Sequence, residues 1–357
     1  MSISGQESTH PGPLRRLVTV PVTGSTNTDL RAELAGPDGL VCPGSAARWP
    51  HLSALRALSQ TSGRGRAGRS WTTPPCGALT VSFVLRPLVP LDRLGWLPLL
   101  TGLAVRRALE PWLEGTGWTA RTKWPNDVVV TGPPSVPVVP GWGRSRKIAG
   151  VLTELLPAQA APPAPGAAPT DRDRAPAVIV GVGVNVAQAA QVLPVPWAAS
   201  LAGLGAPMGD ADPDQAAGEV LEAVAVQLAE LVERWEALGG DPDSKNLERP
   251  DSPGRPDSPG HPDSPGRPDS PGRPDGPGGA GRAGGLGAEL REACLSLGAE
   301  LRVSTPAGEV VGTGVDLTPG LVVRTSTPQG PHDVVVTVGD VLHARLEPGG
   351  EDAPGPA

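Results

Sequence analysis

The sequence predicts a mixed α/β domain that is followed, after a Pro/Gly-rich segment, by a small domain built from strands. Between residues 17 and 238, β-rich runs alternate with segments whose apolar residues recur at helical spacing. From residue 299 to residue 346, short apolar runs are separated by Pro and Gly turns, which is typical of a small barrel or sandwich. We therefore expect a mixed sheet flanked by helices, and a small β-barrel on its C-terminal side.

The composition limits the classes of function that fit the chain. Its 357 residues are enough for one large or two ordinary domains, and its formal net charge of -7 argues against general binding to nucleic acid or membrane surfaces. No apolar run reaches the ~18 residues that span a membrane, and the polar N-terminus lacks a signal-peptide core. Cys42, Cys76 and Cys294 are too scattered for a disulfide framework or a zinc site, which favours a reducing, cytoplasmic setting.

The elements of the first domain follow from local patterns. Ser25 or Thr26 is a candidate N-cap for a helix that ends near Leu34. Periodicity alone leaves Leu52–Ser59 open between strand and helix, and its position directly before a Gly/Arg-rich loop favours a strand. The other strands are expected at residues 17–20, 78–85, 128–130, 147–155 and 178–186, and the long helices at residues 95–112 and 216–238.

Several segments predict disorder rather than structure. Residues 131–146 and 157–177 are rich in Pro with Gly or Ala, and we expect both to be flexible insertions. The hexad Arg/His-Pro-Asp-Ser-Pro-Gly repeats over residues 250–278 without an apolar residue that could stack, which indicates a linker rather than a solenoid. The expected divisions are a disordered leader 1–16, a first domain 17–243, a linker 244–287, a second domain 288–348 and a disordered tail 349–357. We expect the linker to be a dispensable spacer.

The segment from Gln60 to Trp71 interleaves three glycines with three arginines. Glycine allows the backbone to approach a ligand closely, and arginine supplies a permanent charge suited to carboxylate and phosphate. Such a loop can hold two anions against their mutual repulsion. By itself, the pattern also fits a solvated loop or a nucleic-acid patch.

Three further motifs have ordinary explanations when each is taken alone. The sequence Lys-Trp-Pro-Asn-Asp at 123–127 fits a core tryptophan followed by a β-turn. Lys147, in the Lys-Ile-Ala-Gly run 147–150, fits a solvated strand start, and the Gly-Val-Gly-Val-Asn run 181–185 fits a closely packed core strand.

In this order, however, the four motifs resemble the biotin protein ligases, over residues 18–235 and again over residues 290–346. The resemblance implies a fold like the class II synthetases and biotin/lipoate ligases, with an SH3-like C-terminal domain. It also implies that biotin and ATP, with Mg²⁺, form biotinyl-5′-AMP and pyrophosphate, and that biotin is then transferred to a lysine of a carboxylase carrier domain.

The resemblance also implies roles for individual residues. The loop 63–69 closes over the ligands, Arg66 contacts the biotin carboxylate and the phosphate, and Lys147 lies beside both reacting groups. The chemistry of the transfer step adds Asp127: the acceptor amine must lose a proton to attack, and Asp127 is the candidate group that orients or deprotonates it, with a metal-side role as the alternative. Residues implied for biotin are Ser25, Thr26, Asn27, Gln60, Gly63, Arg64, Arg66, Lys147, Gly150, Gly181 and Gly183. Residues implied for ATP are Arg66, Arg69, Trp71, Lys123, Asn126, Asn185 and Trp197, the last of which also fits an ordinary aromatic after a proline turn.

Two alternatives remain open at this point: a lipoate or octanoate ligase, and a non-catalytic RNA-binding module. About 17 residues precede the first expected strand, too few for a helix-turn-helix module, so we expect no operator DNA binding. The sequence leaves open whether the chain forms a homodimer, and whether the second domain contacts ATP through Arg345 or docks the carrier.

Overall fold

The computed structural model describes residues 3, 5–8, 12–73, 76–159, 164–209, 212–244, 285–328, 330–337 and 343–346. The helices are α1 (Thr26–Leu34), α2 (Ser45–Arg48), α3 (Leu97–Leu113), α4 (Pro213–Ala237) and α5 (Leu286–Ala293). The strands of the N-terminal half are β1 (Gln6–Ser8), β2 (Arg16–Thr23), β3 (Ser53–Gln60), β4 (Gly63–Arg64), β5 (Ser70–Trp71), β6 (Ala78–Leu85), β7 (Thr119–Lys123), β8 (Asp127–Thr131), β9 (Ser145–Leu156) and β10 (Ala177–Asn185). They are followed by β11 (Glu300–Thr305), β12 (Gly308–Leu317), β13 (Gly320–Thr327), β14 (Gly330–Thr337) and β15 (His343–Leu346).

An eight-stranded sheet in the order β1-β2-β3-β6-β10-β9-β8-β7 forms the first domain. The pair β2 and β3 is parallel, and the other neighbours are antiparallel, so the predicted mixed sheet is confirmed. Alternate residues of β10 point to opposite faces of the sheet. Val180 and Val182 belong to the core that includes α3 and α4, whereas Ile179 packs with Leu30 of α1 on the other face. Helices therefore cover both faces, and none in the described part of the chain is long and apolar enough to cross a membrane.

The second sheet is antiparallel, with five strands in the order β14-β13-β12-β11-β15. It confirms the small C-terminal β domain. Within the described residues β14 and β15 form its two edges, and no pairing between them closes a barrel.

Helix α5 packs against both domains. Leu286, Leu290 and Ala293 belong to a buried core that also includes residues of α3, of α4 and of the second sheet. Glu289 pairs with Arg107 of α3 at 2.7 Å, and Arg291 pairs with Asp316 of β12 at 2.5 Å. The boundary expected at residue 288 stays a prediction.

Two segments expected to be disordered are ordered in their described parts. In the leader, Gln6–Ser8 pairs with β2, and Glu7 forms an ion pair with Arg16 at 3.0 Å. In the 157–177 segment, Arg172 pairs with Glu236 of α4 at 2.6 Å. Backbone pairing between strands and an ion pair between residues far apart in the chain cannot be recognised from local composition. This is why the composition of both segments predicted disorder.

The hexad repeat lies outside the described residues, but the chain on either side of it is described. The Gly287 amide donates to the Pro242 carbonyl at 3.0 Å, and Arg291 pairs with Asp243 at 2.6 Å. The two ends of the segment 245–284 are therefore held next to each other.

Candidate active site

One cavity of about 370 Å³ brings the four sequence motifs together. Its volume falls in the range of small-molecule sites. The adjacent strands β8, β9 and β10 contribute one wall, and the Gly/Arg segment contributes another. The predicted residues that line it are Ser25, Thr26, Asn27, Gln60, Arg64, Arg66, Arg69, Trp71, Lys123, Asn126, Asp127, Lys147, Gly150, Gly181, Gly183 and Trp197.

The neutral end of the cavity lies at the start of α1. Ser25 is the N-cap, and its hydroxyl accepts a hydrogen bond from the Thr28 amide at 3.4 Å. Gln60, at the end of β3, accepts through Oε1 from the Thr26 amide at 2.8 Å and from the Thr26 hydroxyl at 3.2 Å. Ser82 lies 2.7 Å from the Thr26 hydroxyl. These bonds fix a group of uncharged donors and acceptors before any ligand binds.

Asn27 lines this end but is held within the protein. Its Nδ2 donates to Glu154 at 3.1 Å and its Oδ1 accepts from Ser82 at 2.6 Å. The Arg31 guanidinium also binds Glu154, at 2.6 Å. Burial opposes ionisation of Glu154, but the hydrogen bonds from Arg31 and Asn27 lower its pKa below the usual value. The carboxylate therefore stays charged and anchors Asn27.

Glycines on β9 and β10 leave room that side chains would fill. A Cβ at Gly183 would lie 2.5 Å from Cε2 of Trp71, and one at Gly150 would lie 3.2 Å from the same indole. A Cβ at Gly181 would overlap the Asn27 amide oxygen. The glycines are therefore required by packing across the cavity.

The Gly/Arg segment is a short hairpin of β4 and β5 joined by a 3-10 turn at Arg66–Gly68. The Gly65 amide donates to the Arg69 carbonyl at 2.7 Å, and the turn places Gly68 at φ 72°, a left-handed conformation that suits glycine. Burial lowers the pKa of Arg66 below its ordinary value, and the nearby charge of Asp127 opposes that shift. The turn thus directs an arginine toward the carboxylate on the opposite wall.

The charged end is built on the hairpin between β7 and β8. Lys123 and Asp127 are directly paired across it, and Lys147 of β9 forms an ion pair with Asp127 at 2.5 Å. Burial opposes ionisation of Asp127, but Lys147 and Lys123 outweigh it and lower the pKa of the carboxyl group. Burial and the positive charge of Lys147 lower the pKa of Lys123, against the pull of Asp127. Several cations therefore surround one carboxylate.

Two expected site residues do not line the cavity. Gly63 is buried beneath the Trp71 backbone, where a Cβ would overlap the Trp71 carbonyl. Asn185 donates to the Ala199 carbonyl at 2.9 Å and so holds the segment that follows Trp197. Both residues shape the walls of the site, and the expected contact of Asn185 with nucleotide stays a prediction.

The structure adds one residue that the sequence interpretation missed. Trp142, from the 131–146 segment, lines the cavity and stacks on Trp197. The expectation that this segment is a flexible insertion stays a prediction, but one of its residues lies at the cavity. One signal could have indicated Trp142: a tryptophan lies between two functional motifs in a chain with no tyrosine and a single phenylalanine.

Comparisons with known proteins agree with this arrangement. A sequence profile of the Biotin/lipoate A/B protein ligase family matches residues 46–161. The biotin–[acetyl-CoA-carboxylase] ligase of Mycobacterium tuberculosis is 29% identical over 336 residues, which is 93% of this chain and 90% of that protein. The bifunctional ligase/repressor BirA of Bacillus subtilis is 32% identical over 139 residues, 39% of this chain and 34% of that protein.

Among solved structures, the biotin protein ligase from Aquifex aeolicus in complex with biotin and ATP has the same fold. The TM-score is 0.55 at 22% identity, and the match covers 94% of this chain and all of that one. The predicted fold class is confirmed by this similarity. Together, the profile match and the M. tuberculosis relative show that the chain is similar to biotin/lipoate A/B protein ligases, and the A. aeolicus structure shows that it shares their fold.

Proposed function

We propose that the protein is a biotin protein ligase. It activates biotin with ATP to biotinyl-5′-AMP, releases pyrophosphate, and transfers biotin to a lysine on the carrier domain of a carboxylase. The observation that carries this proposal is the division of one cavity into a neutral, hydrogen-bonding end and a cationic end. A ligand with an uncharged polar ring and a carboxylate tail fits the first end and reaches the second, where ATP phosphates bind.

The cations act on the activation step. A carboxylate that attacks the α-phosphate brings two anions within bonding distance, and fixed positive charges stabilise the charge that develops there. Arg66, Arg69, Lys123 and Lys147 supply that charge from two opposite walls. The Gly/Arg hairpin covers the ligands and keeps water from the mixed anhydride.

Asp127 has the orienting role in this proposal. A general base works best when its pKa lies near the operating pH. The ion pair with Lys147 and the charge of Lys123 instead lower the pKa of Asp127. The carboxylate therefore holds Lys147 in place toward the reacting groups.

Mg²⁺ would be held mainly by the nucleotide. Among the described residues no group of three or more His, Cys, Asp or Glu could hold a metal ion, and the carboxylate that lines the cavity, Asp127, is already paired with Lys147. This agrees with the tendency of Mg²⁺ to be bound largely by substrate phosphates and water. When bound, it would neutralise phosphate charge and favour departure of pyrophosphate.

Lipoate and RNA are the weaker candidates. The dithiolane ring of lipoate is apolar, and it would leave the hydroxyl and amide groups of Ser25, Thr26 and Gln60 without ligand partners, which disfavours binding. A cavity of about 370 Å³ suits small molecules rather than a polymer.

The acceptor is a protein and the setting is the cytoplasm in this proposal. The net charge of -7 argues against DNA as a partner. The three cysteines are free thiols, which fits a reducing compartment.

The test is the intact mass of a carboxylase carrier domain after incubation with the protein, biotin, ATP and Mg²⁺. We expect a biotin-sized increment, reduced by about 100-fold or more in rate by Arg66→Ala because a cation at the reacting phosphate is lost. Arg302→Ala, which removes an exposed ion pair to Glu309 in the second sheet, is the matched control and should keep full activity. An increment with lipoate and none with biotin would contradict the proposal.

A further inference from the structure

We propose that Glu154 is a positioning residue that sets the direction of a chain of hydrogen bonds, and that this direction makes the Thr26 hydroxyl an acceptor for the ligand. The inference rests on the proposed function, because it takes the ureido ring of biotin as the ligand of the neutral end. It gives a role in specificity to a residue that is not among those that line the cavity.

The chain begins at a carboxylate that can only accept. Nε and Nη2 of Arg31 both donate to Oε2 of Glu154, at 3.0 and 2.6 Å. This pairing favours the ionised carboxylate, which has no hydrogen to donate. Its other oxygen, Oε1, lies 3.1 Å from Nδ2 of Asn27, and the Leu152 carbonyl is a second acceptor on that side at 3.4 Å. The Asn27 amide must therefore turn its NH₂ group toward Glu154.

The orientation of Asn27 determines how the Ser82 hydroxyl donates. With its NH₂ group toward Glu154, Asn27 presents its carbonyl oxygen to Ser82, and the two oxygens are 2.6 Å apart. A carbonyl oxygen only accepts, so the single hydrogen of Ser82 goes to Asn27. Ser82 Oγ is also 2.7 Å from the Thr26 hydroxyl, and at that distance one of the two oxygens must donate. The donor is therefore Thr26.

The Thr26 hydroxyl keeps its lone pairs for the ligand. Its hydrogen is directed to Ser82, with Oε1 of Gln60 as a second and longer contact at 3.2 Å. Thr26 lines the cavity, so the group that it presents there is an acceptor. The N–H groups of a cyclic urea match this acceptor, whereas a ring that offers only lone pairs at this point leaves it unpaired. A carboxylate outside the cavity thus decides which hydrogen-bonding group is recognised inside it.

The variant Glu154→Gln reverses the direction and keeps the size of the side chain. The Arg31 guanidinium requires an acceptor, so the new amide turns its oxygen to Arg31 and its NH₂ group to Asn27. Two NH₂ groups then oppose each other unless the Asn27 amide turns over, and a turned amide makes Ser82 donate to Thr26. Calorimetry with biotin alone should show a Kd raised about tenfold or more, because the acceptor is lost to the ligand. The KM for ATP should stay within twofold.

The variant Ser82→Ala separates this effect from a purely structural one. It interrupts the chain between Asn27 and Thr26, but it leaves Arg31 and Arg64, which lie 2.6 and 3.9 Å from Glu154, in place. Made in the Ser82→Ala background, Glu154→Gln should therefore raise the Kd of biotin less than twofold. An equal loss in both backgrounds would mean that Glu154 acts through α1 or the Gly/Arg hairpin, and it would overturn the inference.

Glu236→Gln is the matched control. Glu236 accepts two bonds from the Arg172 guanidinium, and its side chain is 13% exposed, against 12% for Glu154. It lies on α4 and is not among the residues that line the cavity, so its variant should leave the Kd of biotin within twofold. An unaltered Kd in Glu154→Gln overturns the role of Glu154 alone. Failure of the unchanged protein to bind biotin would overturn the proposed function and this inference together.

Discussion

The two ends of the cavity are built on different physical principles. At the neutral end, Thr26, Asn27 and Gln60 already bond to one another or to neighbouring groups, at separations of 2.6–3.4 Å. At the charged end, Lys123, Lys147, Arg66 and Arg69 lie around Asp127. The first end is therefore a fixed template, whereas the second holds an excess of positive charge that an anionic ligand relieves.

The largest effect should come from Lys147→Ala, which removes a cation from the charged end. We expect the rate of adenylate formation to fall about 100- to 1000-fold, the loss that accompanies removal of one group that stabilises a developing charge. ATP–pyrophosphate exchange driven by biotin measures this step. Lys123 and Arg69 remain near Asp127, so the fold should persist. Exchange within twofold of the unchanged protein would show that the positive charge at this end is not used in catalysis.

The loss of folding stability at low pH should arise mainly at His51, which lies outside both ends of the cavity. Burial, followed by the charge of Arg172, lowers the pKa of His51 from 6.5 to about 4. Its Nδ1 accepts a hydrogen bond from the Arg86 amide at 3.0 Å. Between pH 6.5 and pH 4 the unfolded chain binds more protons than the folded one, so stability falls by about 3 kcal/mol as the pH drops through this window.

The variant His51→Asn keeps a hydrogen-bond acceptor for the Arg86 amide but has no imidazole that could take up a proton. We expect its free energy of unfolding, measured with urea, to change less between pH 7 and pH 4.5 than that of the unchanged protein. His332→Asn, at an exposed position of β14, is the matched control. Equal acid sensitivity in His51→Asn and the unchanged protein would locate the loss elsewhere, for example at Asp127, whose lowered pKa also makes its contribution disappear as the pH falls.

The smallest of these effects should come from Thr26→Val at the neutral end. The Gln60 oxygen keeps its bond to the Thr26 amide, so we expect a loss of stability of only about 1 kcal/mol. Loss of one hydroxyl contact to the ligand should raise the KM for biotin about fivefold and leave the KM for ATP unchanged. Thr28→Val, at an exposed position of the same helix, is the control. A rise in the KM for ATP instead would show that the two ends are not separate.

The features that could be predicted from sequence are those fixed by short-range patterns. The strand that carries Lys147, the glycines of β10 and the Ser25 cap all follow from local periodicity, steric need and capping chemistry. The resemblance to one family added the prediction that these residues belong to one ligand-binding site. The assembly of the cavity then follows from the adjacency of β8, β9 and β10 in one sheet.

What escaped prediction depends on contacts between distant parts of the chain. The resemblance implied a nucleotide contact for Asn185, and nothing in the sequence indicated that its amide donates to the Ala199 carbonyl, in a segment 14 residues further along the chain. Trp142 was missed because Pro and Gly composition usually indicates a flexible loop. Its position depends on Arg144 and Arg146 bonding prolyl carbonyls, which spacing does not reveal.

The hydrogen bond between Gly287 and Pro242 has a consequence for chains with a different number of hexads. Because these two residues are in contact, the separation of the described ends on either side of residues 245–284 does not depend on the length of that segment. The free energy of closing a flexible loop grows only with the logarithm of its length, by about 0.6 kcal/mol for each doubling. We therefore expect a chain with one hexad more or one fewer to keep the geometry of the site.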